Sequence, residues 1–311
     1  MDQQKYDLIV VLGPTASGKT SLAARLAERL NGEIISADSR QVYRGMDIGT
    51  GKDYDDYIVN GRQIPFHLID ILEPGSKYNV YEFQKDFLQA YHDIHQSGKS
   101  PLLCGGTGLY IEAVLKGYRL IPVPPDPELR ETMTQRTLDE LVEILKSESR
   151  HLHNTTDLTS KKRAIRAIEI ARYYQAHPEA DIEFPKIRPF ILGVQYDRPA
   201  QRRRITERLK QRLEEGMIDE VRHLQVKGLN RDDLEYYGLE YRYVSRYLDG
   251  ELDYQEMFQQ LNTAIHQFAK RQMTWFRRME RNGFAIHWLD GHMPQEEKLN
   301  RTWKLLKQDQ S

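Results

Sequence analysis

Residues 7–20 read DLIVVLGPTASGKT: an apolar run, a glycine-bounded loop and the opening of a helix. Gly13, Gly18, Lys19 and Thr20 occupy the fixed positions of the phosphate-binding pattern G-x-x-x-x-G-K-[ST]. Leu8 to Leu12 has the unbroken apolar character of a strand covered on both faces in a parallel sheet. Beyond the loop, Leu22, Leu26 and Leu30, with Ala23 and Ala27 between them, recur at helical spacing. In a strand–loop–helix unit of this kind, backbone N–H groups and the positive end of the helix dipole converge on an anion. Gly13, Pro14, Thr15, Ala16, Ser17, Gly18, Lys19 and Thr20 are therefore read as a cradle for a diphosphate or triphosphate. Lys19 would meet the oxygens that gain charge, and Thr20 would ligate a Mg2+ ion. The pattern leaves open whether a phosphoryl group moves or a whole diphosphate departs.

Outward from this unit, EIISA (33–37) predicts a second strand ending at Asp38-Ser39-Arg40-Gln41. Ligands of open α/β sheets gather beyond the carboxyl ends of strands, so Asp38 is expected to face the loop, as a base or as a metal helper. VYRGMDIGTGKD (42–53) has three glycines and few apolar anchors, and is expected to be ordered by ligand. FHLIDI (66–71) reads as a strand or a buried turn. From Val80 a helix places Phe83, Phe87, Ala90 and Ile94 on one face, and PLLCGGTGLY (101–110) repeats the opening logic of strand, glycine turn and helix. Such alternation predicts an α/β protein with a parallel sheet flanked by helices.

The alternation stops at IPVPPDP (121–127), whose four prolines cannot continue a helix or a central strand. From 128 to about 184 only helical spacing is legible, with Leu138, Leu141 and Leu145 on one stripe and Ile165 and Ile168 on another. RPFILGVQYD (188–197) returns to a buried strand. Helices are expected at 199–214 and 253–280, then a strand at 284–289 and a polar tail. The chain thus divides into a core of 1–120 with 188–311 and an inserted helical domain, 121–187.

The 311 residues carry a net charge of −1, which hides three basic clusters at 161–172, 202–212 and 270–281. Any one of them reads as a solvated helix face; together they also fit a polyanionic partner. The single cysteine, Cys104, excludes an intrachain disulfide and a Cys-based zinc site. His151 and His153 lack partners at ligand spacing and read as solvated. The N-terminal residues have no targeting character, and no apolar run reaches membrane-spanning length, so a cytoplasmic protein is expected.

GPTASGKT (13–20), SADSRQVYRGMDIGTGK (36–52), HLID (67–70), GGTGLY (105–110), KRAIRAIE (162–169), GMIDEV (216–221) and AKRQMTWFR (269–277), in this order, resemble the tRNA dimethylallyltransferase (tRNA isopentenyltransferase) family over nearly the whole chain. The resemblance implies a P-loop NTPase-like fold with an inserted all-helical RNA-binding domain. It also implies transfer of a dimethylallyl group from dimethylallyl diphosphate to N6 of the adenosine 3′ to a tRNA anticodon. An exocyclic amine is a poor nucleophile, and a carboxylate that takes its proton suits Asp38; a metal-side or capping aspartate is the alternative. Lys19 and an arginine, Arg204 or Arg208, would stabilise the leaving diphosphate. Thr107 would touch the target nucleotide, or else caps its helix.

For tRNA, the resemblance implies contacts from Asp38, Ser39, Arg40 and Gln41, from Lys162, Arg163 and Arg166, and from Lys270, Arg271, Gln272 and Trp275, although Trp275 and Phe276 also read as helix core. Departures occur at Gly238-Leu239, where Gly-Tyr is usual, and at Gly51 and Asp53 around Lys52. A monomer is expected. Two other readings remain at this level: a P-loop kinase of a small metabolite, with Asp38 as the base toward a hydroxyl, and an RNA-binding P-loop protein without turnover.

Overall fold

The computed structural model describes residues 6–118, 120–148, 160–177 and 184–308. They fall into two compact units, Met1–Gly117 with Lys186–Ser311, and Tyr118–Pro185.

The first unit is built on β1 (Leu8–Leu12), all five residues of which are buried. After α1 (Lys19–Arg29) come β2 (Gly32–Ala37), a small hairpin of β3 (Ile58–Val59) and β4 (Arg62–Gln63), β5 (Phe66–His67) and α2 (Val80–Gln96). β6 (Ser100–Gly105) and α3 (Gly108–Leu115) complete the first half. The chain re-enters the sheet at β7 (Pro189–Gln195) and ends through β8 (Ile286–Asp290). The sheet has the order β5-β2-β6-β1-β7-β8, with every pairing parallel. Val10 lies opposite Leu103 on one side and Ile191 on the other. A strand so placed has no solvent face, which is why its sequence is apolar without alternation.

Sheet order positions the site. Because β2, β6 and β1 are neighbours running in one direction, the loops that follow them, starting at Asp38, Gly106 and Gly13, leave the same edge side by side. Flanking helices supply the covering layers: Leu22, Ala23, Leu26 and Ala27 of α1 are buried on one face, and Phe83 of α2 stacks on Tyr110 of α3 at 4.3 Å between ring centroids. Asn79 and Glu82 form a capping box that starts α2.

The structure adds detail at three places. FHLIDI is a strand only at Phe66–His67, after which Leu68 and Asp70 take left-handed φ of 62° and 55° in a turn. The polar tail is α12 (Gln295–Gln308); it buries Leu299 and Leu306 in the main core, and Glu296 pairs with Arg29 of α1 at 2.6 Å. Between α7 (Arg198–Glu214) and α11 (Tyr254–Arg281) stand three helices that no expectation covered, α8 (Met217–Val226), α9 (Arg231–Tyr237) and α10 (Leu239–Leu248).

The second unit contains α4 (Pro127–Thr134), α5 (Leu138–Glu148) and α6 (Lys161–Ala176) around Leu129, Met133, Leu141, Leu145, Ala164, Ile165 and Ile168. Asp126 caps α4 through the Leu129 N–H at 3.0 Å. His151 and His153 lie outside the described residues. Among the described residues no helix is long and apolar enough to cross a membrane.

Candidate active site

The loop after β1 curls tightly. Gly18, at the N-cap of α1, has φ 75°, and Ala16 also lies in the left-handed region, at φ 59°. A side chain at Gly13 would stand 2.7 Å from the Val194 carbonyl oxygen, so only glycine lets β1 turn there against β7. Lys19 folds back over the loop, its Nζ donating to the Pro14 carbonyl at 3.4 Å. Burial holds the Lys19 ammonium below its ordinary range, while the Asp38 charge pulls the other way. The Cys104 thiol, next to the Thr20 hydroxyl, is pushed up to about 12 by burial and is neutral at physiological pH.

Beside this nest, Asp38 begins the loop after β2. Its Oδ1 accepts the Arg40 N–H at 2.9 Å, and its charge reaches Lys19, Tyr110 and Glu240. Thr107 stands at the N-cap position of α3 yet makes no capping bond. Its hydroxyl instead accepts the Ser39 N–H at 3.2 Å. The carboxylate, the hydroxyl and the lysine come from three different strand ends and meet at one edge.

The two arginines of α7 point to different partners. Arg204 donates from Nε to the Ala16 carbonyl at 3.0 Å and lies over the Tyr196 ring at 4.6 Å. Arg208 pairs with Asp53, and of the two it is the one whose charge bears on Lys19. Burial, then Arg212 beside it, brings the Arg208 guanidinium down to about 10 against the pull of Asp53, so it stays cationic at neutral pH. Among the described residues no group of three or more His, Cys, Asp and Glu is placed to hold a metal ion.

The family described as IPP transferase matches residues 41–279, and that described as isopentenyl transferase matches residues 6–67. The chain belongs to the IPP transferase family. It is 61% identical over 308 residues to tRNA dimethylallyltransferase 2 of Bacteroides fragilis (strain YCH46), covering 99% of this chain and 100% of that one. Its fold is similar to the crystal structure of the tRNA isopentenylpyrophosphate transferase from Bacillus halodurans, with a TM-score of 0.70, 32% identity and coverage of 97% of this chain and 96% of that one. A eukaryotic dimethylallyltransferase acting on tRNA shares the fold at a TM-score of 0.67 and 21% identity, over 91% of this chain and 73% of that one.

In this IPP transferase the side chains expected to meet tRNA divide into those engaged within the protein and those exposed. Gln41 accepts from Ser36 Oγ at 2.9 Å and donates to the Gly51 carbonyl at 3.0 Å, so its carboxamide is spent inside the protein. Gln272 is 7% exposed, and both ends of its carboxamide are likewise taken by backbone, at Thr15 and Gly106. Arg166 pairs with Glu169 and donates to the Val123 carbonyl at 2.8 Å. Trp275 is half-buried against Gly108, where no side chain would fit, with the Arg278 guanidinium 3.9 Å from its ring centroid. Phe276 is fully buried. Lys162, Arg163, Lys270 and Arg271 are exposed, and Arg40 lies over the Tyr236 ring at 4.8 Å.

Loop 42–53, expected to be ordered by ligand, is held by the protein's own side chains. Glu220 of α8 accepts the N–H groups of Asp47, Ile48 and Gly49 at 2.8, 2.7 and 3.0 Å, and the Tyr241 hydroxyl at 2.7 Å. Lys52, 5% exposed, donates to the Tyr43 carbonyl and Asp47, and pairs with Asp70. Glu220, Gln201 and Asp53 had no signal in local spacing. The bonds from Asp47 to Glu220, from Gln201 to Thr15 and from Arg208 to Asp53 join positions 173, 186 and 155 apart in the chain, and only the GMIDEV motif around Glu220 and the departure at Asp53 marked any of the three.

Proposed function

We propose that this protein transfers the dimethylallyl group of dimethylallyl diphosphate to N6 of the adenosine 3′ to the anticodon of a tRNA. The observation that carries the reading is the convergence of Asp38, Thr107 and Lys19 at the ends of three adjacent parallel strands, beside a loop that turns through left-handed backbone at Ala16 and Gly18. The names and family of its relatives support tRNA prenylation rather than phosphoryl transfer.

In this reading N6 attacks C1 of the allyl group, the C1–O bond breaks, and diphosphate leaves with the bonding pair. Asp38 accepts the proton that N6 loses, held toward the site by the Arg40 N–H. Lys19, the amides of residues 16–20 and Arg208 stabilise the charge that develops on the departing oxygens. Thr107 and Ser39, tied together, fix the wall against which the flipped adenine rests. The Thr20 hydroxyl would hold a Mg2+ ion; when bound, the ion would supply further charge neutralisation on the diphosphate. Lys162, Arg163, Lys270 and Arg271 supply phosphate contacts to the RNA.

Incubation with unmodified tRNA and labelled dimethylallyl diphosphate, followed by mass spectrometry of the nucleosides, tests the proposal. The expected product is adenosine heavier by one dimethylallyl group, with one diphosphate released per transfer. Unmodified tRNA alongside phosphoryl transfer from labelled ATP would reject it in favour of a kinase. Tight tRNA binding without turnover would leave only an RNA-binding protein.

A further inference from the structure

Thr15, on the outer rim of the phosphate loop, has both backbone groups taken by glutamines from two different helices. Gln272 of α11 accepts the Thr15 N–H on Oε1 at 2.9 Å and donates from Nε2 to the Gly106 carbonyl at 2.9 Å. Gln201 of α7 donates to the Thr15 carbonyl at 2.6 Å. The next residue, Ala16, sits at φ 59°, which a residue with a Cβ seldom adopts unless its surroundings hold it there. The seat of the Gln272 amide is itself built: a Cβ at Gly106 would stand 2.5 Å from Nε2. Lys270 and Arg271, its neighbours on α11, are exposed while Gln272 is buried, so the helix turns its glutamine to the loop and its cations to solvent.

An anion cradle made of amides works only if their directions are set before the anion arrives, since reorienting them on binding would spend the gain. We propose that Gln272 and Gln201 are positioning residues of the cradle: they grip Thr15 on its N–H and its carbonyl and thereby fix the amides of residues 16–20. Neither glutamine needs to touch substrate for this. The kinetic consequence rests on the prenyl-transfer reading; the effect on diphosphate binding does not.

Gln272→Met keeps the volume and removes both bonds. Titration calorimetry with inorganic diphosphate should show affinity lowered by roughly three- to tenfold, the equivalent of about one lost hydrogen bond. In steady-state assays the KM for dimethylallyl diphosphate should rise by a similar factor and kcat should fall, with the KM for tRNA within about twofold of wild type. Unchanged diphosphate affinity in a cooperatively folding Q272M protein overturns the proposal. So does a raised KM for tRNA with the diphosphate parameters untouched, which would make Gln272 an RNA contact. Gln201→Leu, at a half-buried position whose Oε1 is buried without a partner among the described residues, provides the same calorimetric test should Q272M not fold: lowered diphosphate affinity supports the clamp, and unchanged affinity overturns it. A wild-type protein that binds diphosphate but transfers no dimethylallyl group ends the reaction assignment while the clamp is still scored. One that binds no diphosphate ends both.

Discussion

Ser39 donates its backbone N–H to the Thr107 hydroxyl at 3.2 Å, pinning the loop after β2 to the glycine turn after β6. Sixty-eight positions apart in the chain, the two residues are brought together by strand adjacency, and Asp38 is fixed one residue before the pin. A base on a wandering loop would be of little use, because a misplacement of about 1 Å can cost on the order of a hundredfold in rate.

Asp38→Ala should therefore keep diphosphate and tRNA affinity near wild type and lower the chemical step by roughly two to four decades. Single-turnover assays at saturating substrate measure this directly. Full turnover in the variant would remove Asp38 from the mechanism. Thr107→Val, isosteric but without the accepting oxygen, should reduce the rate by a smaller factor through loss of the pin.

Glu220→Ala removes the acceptor of three consecutive N–H groups and a tyrosine hydroxyl. Orphaned donors of this kind cost about 1–3 kcal/mol, so the denaturation midpoint should fall. Amide exchange at Asp47, Ile48 and Gly49 should accelerate well beyond that at Val10 or Leu103. Exchange unaltered at these three amides would show that the loop is held by other means.

Lys162→Ala with Arg163→Ala tests the exposed cations of α6. Loss of two phosphate contacts should weaken tRNA binding at low salt and make the slope of log K against log salt shallower by about one to two. Arg166 is left alone in this design, since Glu169 and Val123 already occupy its guanidinium. Identical salt slopes would reduce these two residues to a solvated helix face.

Glu169 supplies a pH test. Burial raises its carboxyl, but hydrogen bonds from Arg130, the Asp126 N–H and Arg166 win, and it lies below the usual carboxylate range. A depressed folded-state pKa gives stability that is present above the unfolded value of about 4.3 and lost as pH falls through the folded one. Glu169→Gln should thus be clearly less stable than wild type at pH 7, with the gap closing in acid. A gap independent of pH would mean that the carboxylate charge contributes nothing.

The sequence made the strands legible where burial is two-sided, as in LIVVL and PLLCG, because continuous apolar runs bounded by glycine admit few alternatives. The phosphate loop was equally plain, since four fixed residue types state a backbone geometry. What stayed hidden was everything decided by long-range pairing. FHLIDI reads as a strand or a buried turn, and what spacing does not show is where one gives way to the other, at Asp70, whose carboxylate is engaged by Lys52 and Tyr54. The C-terminal tail is so rich in charge that its few apolar positions, Leu299 and Leu306 among them, gave too thin a stripe to announce a helix. Gln272 sits among basic residues in a motif that resembles an RNA contact, and nothing in its spacing says that it faces inward.

All six strands of the main sheet and the phosphate loop come from the stretches on either side of residues 118–185. The phosphate loop and the basic helix α6 are therefore written in separate passages of the gene. A substitution within residues 118–185 thus changes no residue of the six strands or of the phosphate loop.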